Sequence, residues 1–262
     1  MKLTPSLAGL APLILLLGCS NPADNVPKAK VKSDTVNKNI VAQPPATGDR
    51  TFTCAPDSST IEFTGSKVSG SHNGGFKNFA AEFKVANGKL ADADNKVVID
   101  TSSLWADNDR LTGHLKSPDF FGVAQFPTAV FTTTSIVPNA TNSTVTGNLT
   151  LHGVTKEISF PAKIDVSANA VTIAAQFAIN RLDFGIAFKG MPNDLIRKEV
   201  VLKLNIKATP GKGDFESVVK AAQAAAAAMP AVAARPGPGG PRPAPGAAPT
   251  GPGGQQRRPP AR

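Results

Sequence analysis

The chain has 262 residues and a formal net charge of +9, from 28 Lys and Arg against 19 Asp and Glu. This charge is unevenly spread: residues 51–209 carry 15 basic and 14 acidic side chains, whereas residues 230–262 carry five Arg and no acid. The central block has no surface rich in both basic and aromatic residues, on which single-stranded nucleic acid would stack. We therefore expect no nucleic-acid partner.

The first 18 residues have the features of a secretory signal peptide. Lys2 supplies positive charge, and residues 13–17 form an apolar run that is too short to span a bilayer. Gly18 and Cys19 resemble the end of a bacterial lipobox, in which the cysteine is acylated; the alternative is an ordinary signal with a chance cysteine. Because Ser20 follows and not Asp, the resemblance implies a lipid-anchored protein of the outer membrane that faces the periplasm.

Composition divides the rest of the chain into four parts. Residues 19–50 lack an apolar period and predict a flexible tether, whereas residues 51–210 are long enough to bury one substantial core. Ala is dense over residues 211–229, which predicts a helix that packs on the exterior or frays. Residues 230–262 are almost wholly Pro, Gly, Ala and Arg and predict a disordered basic tail, suited to contact with anionic lipid or the cell wall.

The central block repeats short segments in which apolar and polar residues alternate, with Gly, Asn, Asp and Pro between them. These predicted strands lie at residues 79–85, 97–101, 131–136, 145–151, 158–166, 171–179 and 200–206. The gaps have hairpin length and no long amphipathic helix intervenes. The pattern therefore predicts an all-β antiparallel sandwich or barrel.

One stretch breaks the strand pattern. Residues 106–115 begin with Asp and Asn and place Leu111 and Leu115 four positions apart, which predicts a short capped helix. It leads into Phe120 and Phe121, and the helix with its Phe pair is a candidate lid or plug for a closed sheet.

Residues that carry chemistry are few. His72, His114 and His152 are the only histidines, and no pair has metal-ligand spacing, so hydrogen bonds to the backbone are favoured over a metal site. Cys54 is either a reactive thiol or a small buried residue.

Arg181 and Asp183 suggest either acid chemistry or an ion pair that holds the corner at 180–185. Nucleophile-elbow, P-loop and dinucleotide motifs are absent from the sequence. We expect no catalytic residue, metal or cofactor, and no enzyme.

Several motifs, in order along residues 57–208, resemble the YceI-like family of exported bacterial lipid-binding proteins. The strongest is GNLTLHGVTK at 147–156, followed by NRLDFG at 180–185. Further matches are His72-x-Gly74-Gly75-Phe76, Val98-x-Asp100 with Ser102-Ser103-Leu104, residues 115–121, Phe126-Pro127-Thr128-x-x-Phe131 and Glu199-Val200-x-Leu202.

The resemblance implies an extended, lipocalin-like barrel of eight antiparallel strands that binds a long isoprenoid, such as a quinone tail. Eight strands enclose about enough room for one slender ligand, although a barrel can also be filled by its own Phe side chains. The predicted lining residues are Phe79, Phe83, Phe120, Phe121, Phe131, Leu149, Leu151, Phe177 and Ile179.

Two functions are consistent with these features. The first is a lipid-anchored protein that transports, stores or sequesters an isoprenoid lipid or quinone. The second is a structural cell-envelope lipoprotein whose barrel is a spacer and whose basic tail contacts the cell wall.

Overall fold

The computed structural model describes residues 21–32, 50–54 and 56–228. Cys19, the signal peptide, residues 33–49 and the tail at 230–262 lie outside the described residues, so the predictions made for them stay predictions. Within the described ranges, no helix is long and apolar enough to cross a membrane.

The described residues form a mainly β structure with two α-helices. The helices are α1 (Asp109–Lys116) and α2 (Phe215–Ala228). The strands are β1 (Lys30–Lys32), β2 (Arg50–Cys54), β3 (Thr60–Lys67), β4 (Gly70–Phe76), β5 (Phe79–Ala86), β6 (Lys89–Leu90), β7 (Lys96–Asp100), β8 (Leu104–Ala106), β9 (Thr128–Pro138), β10 (Ser143–Leu151), β11 (Val154–Val166), β12 (Val171–Asn180), β13 (Gly190–Met191) and β14 (Asp194–Pro210).

Eight strands close into an antiparallel barrel in the order β2, β5, β7, β9, β10, β11, β12 and β14, and β14 returns to pair with β2. The long strand β14 pairs with β2 only at Thr209 and Pro210, and its residues 196–205 pair with β3. The sheet continues from β3 to β4 and β8, which lengthens one end of the barrel. The predicted all-β, eight-stranded antiparallel barrel is confirmed, and so is the short helix beside it.

The alternation of apolar and polar residues in the sequence determines which side chains of each strand are buried. On β12, Phe177 and Ile179 are buried, whereas Ala174 and Gln176 face solvent. Inward side chains fill two neighbouring regions of the barrel: a large core in the lengthened half, and a smaller one between β2, β5 and the ends of β12 and β14.

Helix α2 lies where the Ala-rich helix is predicted and packs on the outside of the barrel. Val218 is buried against Ala80 of β5 and Val98 of β7. Asp214 accepts the Ser217 N–H at 3.0 Å and so caps the first turn.

Residues 21–32, which we call the N-terminal strap, differ from the prediction of a flexible tether, because they pack on the barrel. Strands β11 and β12 pair directly only near the hairpin that joins them, over Lys163–Val166 and Val171–Ala174. Further from this hairpin the two strands separate, and the strap lies between them. There β1 pairs with β11, and Ala178 of β12 exchanges two hydrogen bonds of 2.8 Å with the strap, to the Pro27 carbonyl and from the Ala29 N–H. Residues 27–32 of the predicted tether are therefore part of the barrel wall, and Ala23, further toward the N-terminus, packs against Ala178 and Val201.

Candidate binding cavity

The lengthened half of the barrel encloses a cavity of about 380 Å³. Its wall comes from nearly every barrel strand, together with β3, β4, α1 and the turns that follow α1 and β12. The lining is almost entirely aliphatic and aromatic; its polar side chains are Ser66, Lys67, His72 and Arg181. A cavity of this size and character lies within the range of small-molecule binding sites in proteins.

Seven of the nine residues predicted to line the barrel do line this cavity. They are Phe120, Phe121, Phe131, Leu149, Leu151, Phe177 and Ile179.

Phe79 and Phe83, which were also predicted as lining residues, do not line this cavity. Both point into the barrel, but they are buried with Phe52, Val85 and Val171 in the smaller core. These residues form the closed end of the barrel. The reason is depth: Phe79 and Phe83 share the inward face of the sheet with lining residues but lie further along the barrel axis.

Several lining residues escaped the sequence analysis. Phe63 and Phe76 come from β3 and β4, which were not predicted as strands. In β4, Gly74 interrupts the alternation for a steric reason, since a Cβ there would overlap the Phe63 ring and the Trp105 carbonyl. The signal for β3 was present in the alternation of Ile61, Phe63 and Gly65.

Aromatic rings form much of the wall. Phe160 and Phe177 stack with centroids 4.0 Å apart and planes 11° apart, and Phe131 lies 5.6 Å from Phe160. Phe76 meets Phe121 edge to face at 5.9 Å. Such contacts hold the rings in fixed positions, so the cavity has a defined shape.

Helix α1 and the turn after it cover one side of the cavity, in agreement with the predicted lid or plug. Asn108 caps the helix by accepting the Leu111 N–H at 3.0 Å. Leu111 and Leu115 then face the cavity on one side of the helix, next to Phe120 and Phe121.

The polar lining residues Lys67, His72 and Arg181 lie together at the end of the barrel near the β3–β4 turn; we call them the polar mouth. The His72 side chain lines the cavity and is also 43% exposed, so the cavity reaches solvent here. Arg181 is 6% exposed and donates to the carbonyls of Ile186 at 2.5 Å, Arg197 at 3.0 Å and Ile196 at 3.2 Å. Burial lowers the pKa of its guanidinium.

The predicted ion pair between Arg181 and Asp183 is not formed. Asp183 instead accepts a hydrogen bond from Asn180 Nδ2 at 3.1 Å, and Asn180 Oδ1 caps the short helical turn at Arg181–Phe184 by accepting the Leu182 N–H. Arg181 thereby remains without a carboxylate within 4.0 Å among the described side chains. The NRLDFG motif builds a capped corner and places a cation against the cavity.

The histidines have structural hydrogen bonds. His72 Nδ1 lies 2.8 Å from Asp107, His114 Nε2 lies 3.1 Å from Asp119, and His152 Nδ1 lies 3.2 Å from the Phe184 carbonyl. In the part of the chain that the structure describes, no group of three His, Cys, Asp or Glu side chains is placed to hold a metal ion.

Of the two alternatives for Cys54, the structure shows the buried one. The residue is 4% exposed in the smaller core, and burial raises the pKa of its thiol. A raised pKa keeps the thiol protonated and so makes it a poor nucleophile.

A closed antiparallel barrel with an internal apolar cavity places this protein among the lipocalin-like barrels. Residues 52–208 match the YceI-like domain, and the chain therefore belongs to the YceI-like domain family. The family predicted from the motifs is confirmed. The N-terminal strap and the whole of α2 lie outside the matched range.

Two bacterial relatives support the same assignment. A UPF0312 protein of Pseudomonas putida is 30% identical over 135 residues, which cover 49% of this chain and 70% of that protein. A UPF0312 protein of Yersinia enterocolitica is 38% identical over 96 residues, 37% of this chain and 50% of that protein. The chain thus spans half the length of the Yersinia relative.

Two solved structures share the fold. BcnA of Burkholderia cenocepacia matches with a TM-score of 0.55 at 22% identity, over 60% of this chain and 99% of that one. A polyisoprenoid binding domain from Saccharophagus degradans, implicated in plant cell wall breakdown, matches with a TM-score of 0.51 at 17% identity, over 62% of this chain and 99% of that one.

Proposed function

We propose that the protein binds a long apolar isoprenoid, of the quinone or polyprenyl type, inside the barrel. The observation that carries this proposal is the cavity of about 380 Å³ with its almost wholly apolar lining. A hydrocarbon tail suits this lining, because a ligand with polar groups along its length would lose hydrogen bonds to water without replacing them. The Saccharophagus domain, which shares the fold and binds polyisoprenoid, supports the ligand class.

The position of the polar lining residues sets the orientation of the bound ligand. The hydrocarbon tail of the ligand lies toward the end of the barrel that contains the smaller core, and its oxygen-bearing head group lies at the polar mouth near Arg181. A guanidinium has five N–H donors, and three bonds to carbonyls leave two that those bonds do not use. A quinone carbonyl or a phosphate oxygen is a suitable acceptor for them.

We place this activity at the periplasmic side of the outer membrane, on the basis of the predicted acylation of Cys19. The protein would transport, store or sequester its lipid there. The competing hypothesis is a structural lipoprotein whose barrel is only a spacer and whose tail contacts the cell wall.

Extraction of the protein purified without detergent, followed by mass spectrometry of the extract and of the intact protein, separates these functions. A co-purifying isoprenoid supports the binding protein. A barrel that is consistently empty, and that takes up no geranylgeraniol when this is supplied, supports the spacer.

Filling the cavity tests the location of the ligand. Ala129 lines the cavity and is 3% exposed, so Ala129→Phe places a ring in the space that the ligand would occupy. We expect geranylgeraniol to bind about tenfold more weakly or worse, as measured by fluorescence competition. Stability should fall by less than the ~1–3 kcal/mol that overfilling a packed core costs.

The matched control is Ala174→Phe, which adds the same ring on the solvent face of β12 and should leave binding unchanged. A folded Ala129→Phe variant with full affinity would place the ligand elsewhere.

A further inference from the structure

The described residues expose five large hydrophobic side chains, and four of them gather at one end of the barrel. Val68 lies in the β3–β4 turn, Leu182 in the helical turn after β12, and Met191 and Leu195 in the β13–β14 hairpin. We call these four residues the apolar rim. The fifth, Val137, lies next to the β9–β10 hairpin, at the opposite end of the barrel from the apolar rim.

Hydrogen bonds join the three segments of the apolar rim into one surface. The Val68 N–H donates to the Leu195 carbonyl at 3.2 Å, and Arg181, next to Leu182, donates to the Ile196 carbonyl at 3.2 Å. The exposed fractions are 53% for Val68, 44% for Leu182, 64% for Met191 and 49% for Leu195. Scattered apolar residues are normal on a protein surface, but a group of this kind on adjoining loops marks a contact surface.

The apolar rim adjoins the polar mouth of the cavity. Lys67 and Arg181 of the mouth directly precede Val68 and Leu182 of the rim along the chain. The hairpin that carries Met191 and Leu195 also carries exposed Lys189 and Lys198. Long basic side chains next to apolar ones suit the boundary between lipid tails and anionic head groups.

We propose that the apolar rim docks on the surface of a lipid bilayer, so that the cavity opens directly into the membrane. This inference rests on the proposed function, because a long isoprenoid is insoluble in water and resides in the bilayer. If the mouth of the cavity touches the bilayer, the isoprenoid chain can enter without being exposed to water, and exposure would cost about 0.8 kcal/mol for each CH₂.

The N-terminal strap independently brings the predicted anchor to the same end. Ser66 Oγ donates to Asn21 Oδ1 at 3.4 Å, which places the start of the strap beside the strand that ends at Lys67. The acyl group predicted on Cys19 is two residues from Asn21, about 7 Å of extended chain. An anchor at that position holds the apolar rim against the membrane.

The test compares two valines of equal exposure at opposite ends of the barrel. Val68→Asp changes the rim, and Val137→Asp, at 54% exposure, is the matched control. Both variants also carry Cys19→Ala, so that acylation does not hold them on the membrane. Binding to vesicles of phosphatidylethanolamine and phosphatidylglycerol is measured by flotation, together with transfer of cis-parinaric acid from the vesicles to the protein.

We expect Val68→Asp to bind vesicles about tenfold more weakly and to accept the probe more slowly, whereas Val137→Asp behaves like the parent. Met191→Asp, in another segment of the rim, should reproduce the loss. Equal vesicle binding by Val68→Asp, Met191→Asp and Val137→Asp overturns the proposal and would direct attention to a protein partner for this surface.

Uptake of the same probe without vesicles separates this inference from the proposed function. If the parent takes up neither this probe nor geranylgeraniol, the proposed function fails. If all variants take up the free probe equally, and only the rim variants receive it more slowly from vesicles, both the proposed function and the docking inference are supported.

Discussion

Two hairpin turns of this barrel have nearly the same backbone angles but different surroundings. Asn87-Gly88 and His152-Gly153 have φ values of 52° and 73°, and of 51° and 74°, which are the positive angles of type I′ turns. A Cβ at Gly88 would meet no atom within 4 Å, whereas one at Gly153 would lie 2.5 Å from the Phe126 ring. The glycine in the strongest sequence motif is therefore required by packing as well as by the turn.

The two glycines predict a difference in stability. Gly88→Ala should cost about 1–2 kcal/mol, which is the cost of a left-handed non-glycine residue. Gly153→Ala should cost about 1–3 kcal/mol more because of the overlap with Phe126. Urea denaturation of both variants measures this, and equal midpoints would show that the turn relaxes away from Phe126.

Asp107 predicts a pH dependence of stability. Its carboxylate accepts the Asn73 N–H at 2.8 Å and contacts His72 at 2.8 Å, and these hydrogen bonds lower its pKa. A lowered pKa stabilises the fold above the ordinary Asp value of about 3.9, and this contribution is lost as the pH falls through the folded pKa. Asp107→Asn should therefore be less stable than the parent at pH 6, and the difference should shrink at pH 3. Denaturation that shows the same difference at both pH values would contradict this.

At the level of secondary structure, the N-terminal strap is the element that most alters the barrel. It pairs with β11 on one side and with Ala178 on the other, and Val31 packs against the large core. Ion pairs from Lys32 to Glu157 at 2.7 Å and from Lys28 to Glu199 at 3.7 Å lie on its outer side. The lysine side chains of these pairs are mostly exposed, at 63% for Lys28 and 72% for Lys32, so solvent screens the pairs and they add little stability. The strap is therefore held mainly by backbone hydrogen bonds and apolar contact.

The strap should detach when its inward face is charged. Val31→Asp should lower stability by about 1–3 kcal/mol, because a carboxylate would be buried among apolar groups. Lys30→Asp, on the exposed neighbouring residue, should change it by less than about 0.5 kcal/mol. Hydrogen exchange provides a direct readout, since the Ala178 N–H donates to Pro27 and should lose protection only in Val31→Asp. Retained protection would mean that the strap tolerates the charge.

At the level of the whole molecule, attachment to the membrane should depend on the predicted acylation of Cys19. The Cys19→Ala variant should be released from outer membranes, because an apolar rim that docks without acyl chains binds the membrane reversibly. Sedimentation after a salt wash measures this, and the Cys54→Ala variant, which changes the other cysteine, should sediment like the parent. A Cys19→Ala protein that stays with the membranes would disprove acylation as the means of attachment.

The strand alternation and the turn residues predicted a great deal of the fold. Period-two patterns such as that of residues 171–179 define which side chains share a face, and Asn108 signals a helix start, because both depend on neighbours along the chain. These local features led to an antiparallel sandwich or barrel and to the short helix, and the family resemblance then selected the eight-stranded barrel with a lined cavity.

Three features depended on tertiary structure. Phe83 and Phe177 have the same pattern, but the closed barrel places the first in the smaller core and the second beside the cavity. The strap pairs through backbone groups, which any residue possesses, and its three-residue strand has one inward side chain, Val31, which is too short a pattern to predict the pairing. Arg181 meets the carbonyls of residues 186, 196 and 197 only when distant segments of the chain come together. Position along the barrel axis, pairing between chain segments far apart in sequence and burial of a charge are set by closure of the sheet, and local sequence does not encode them.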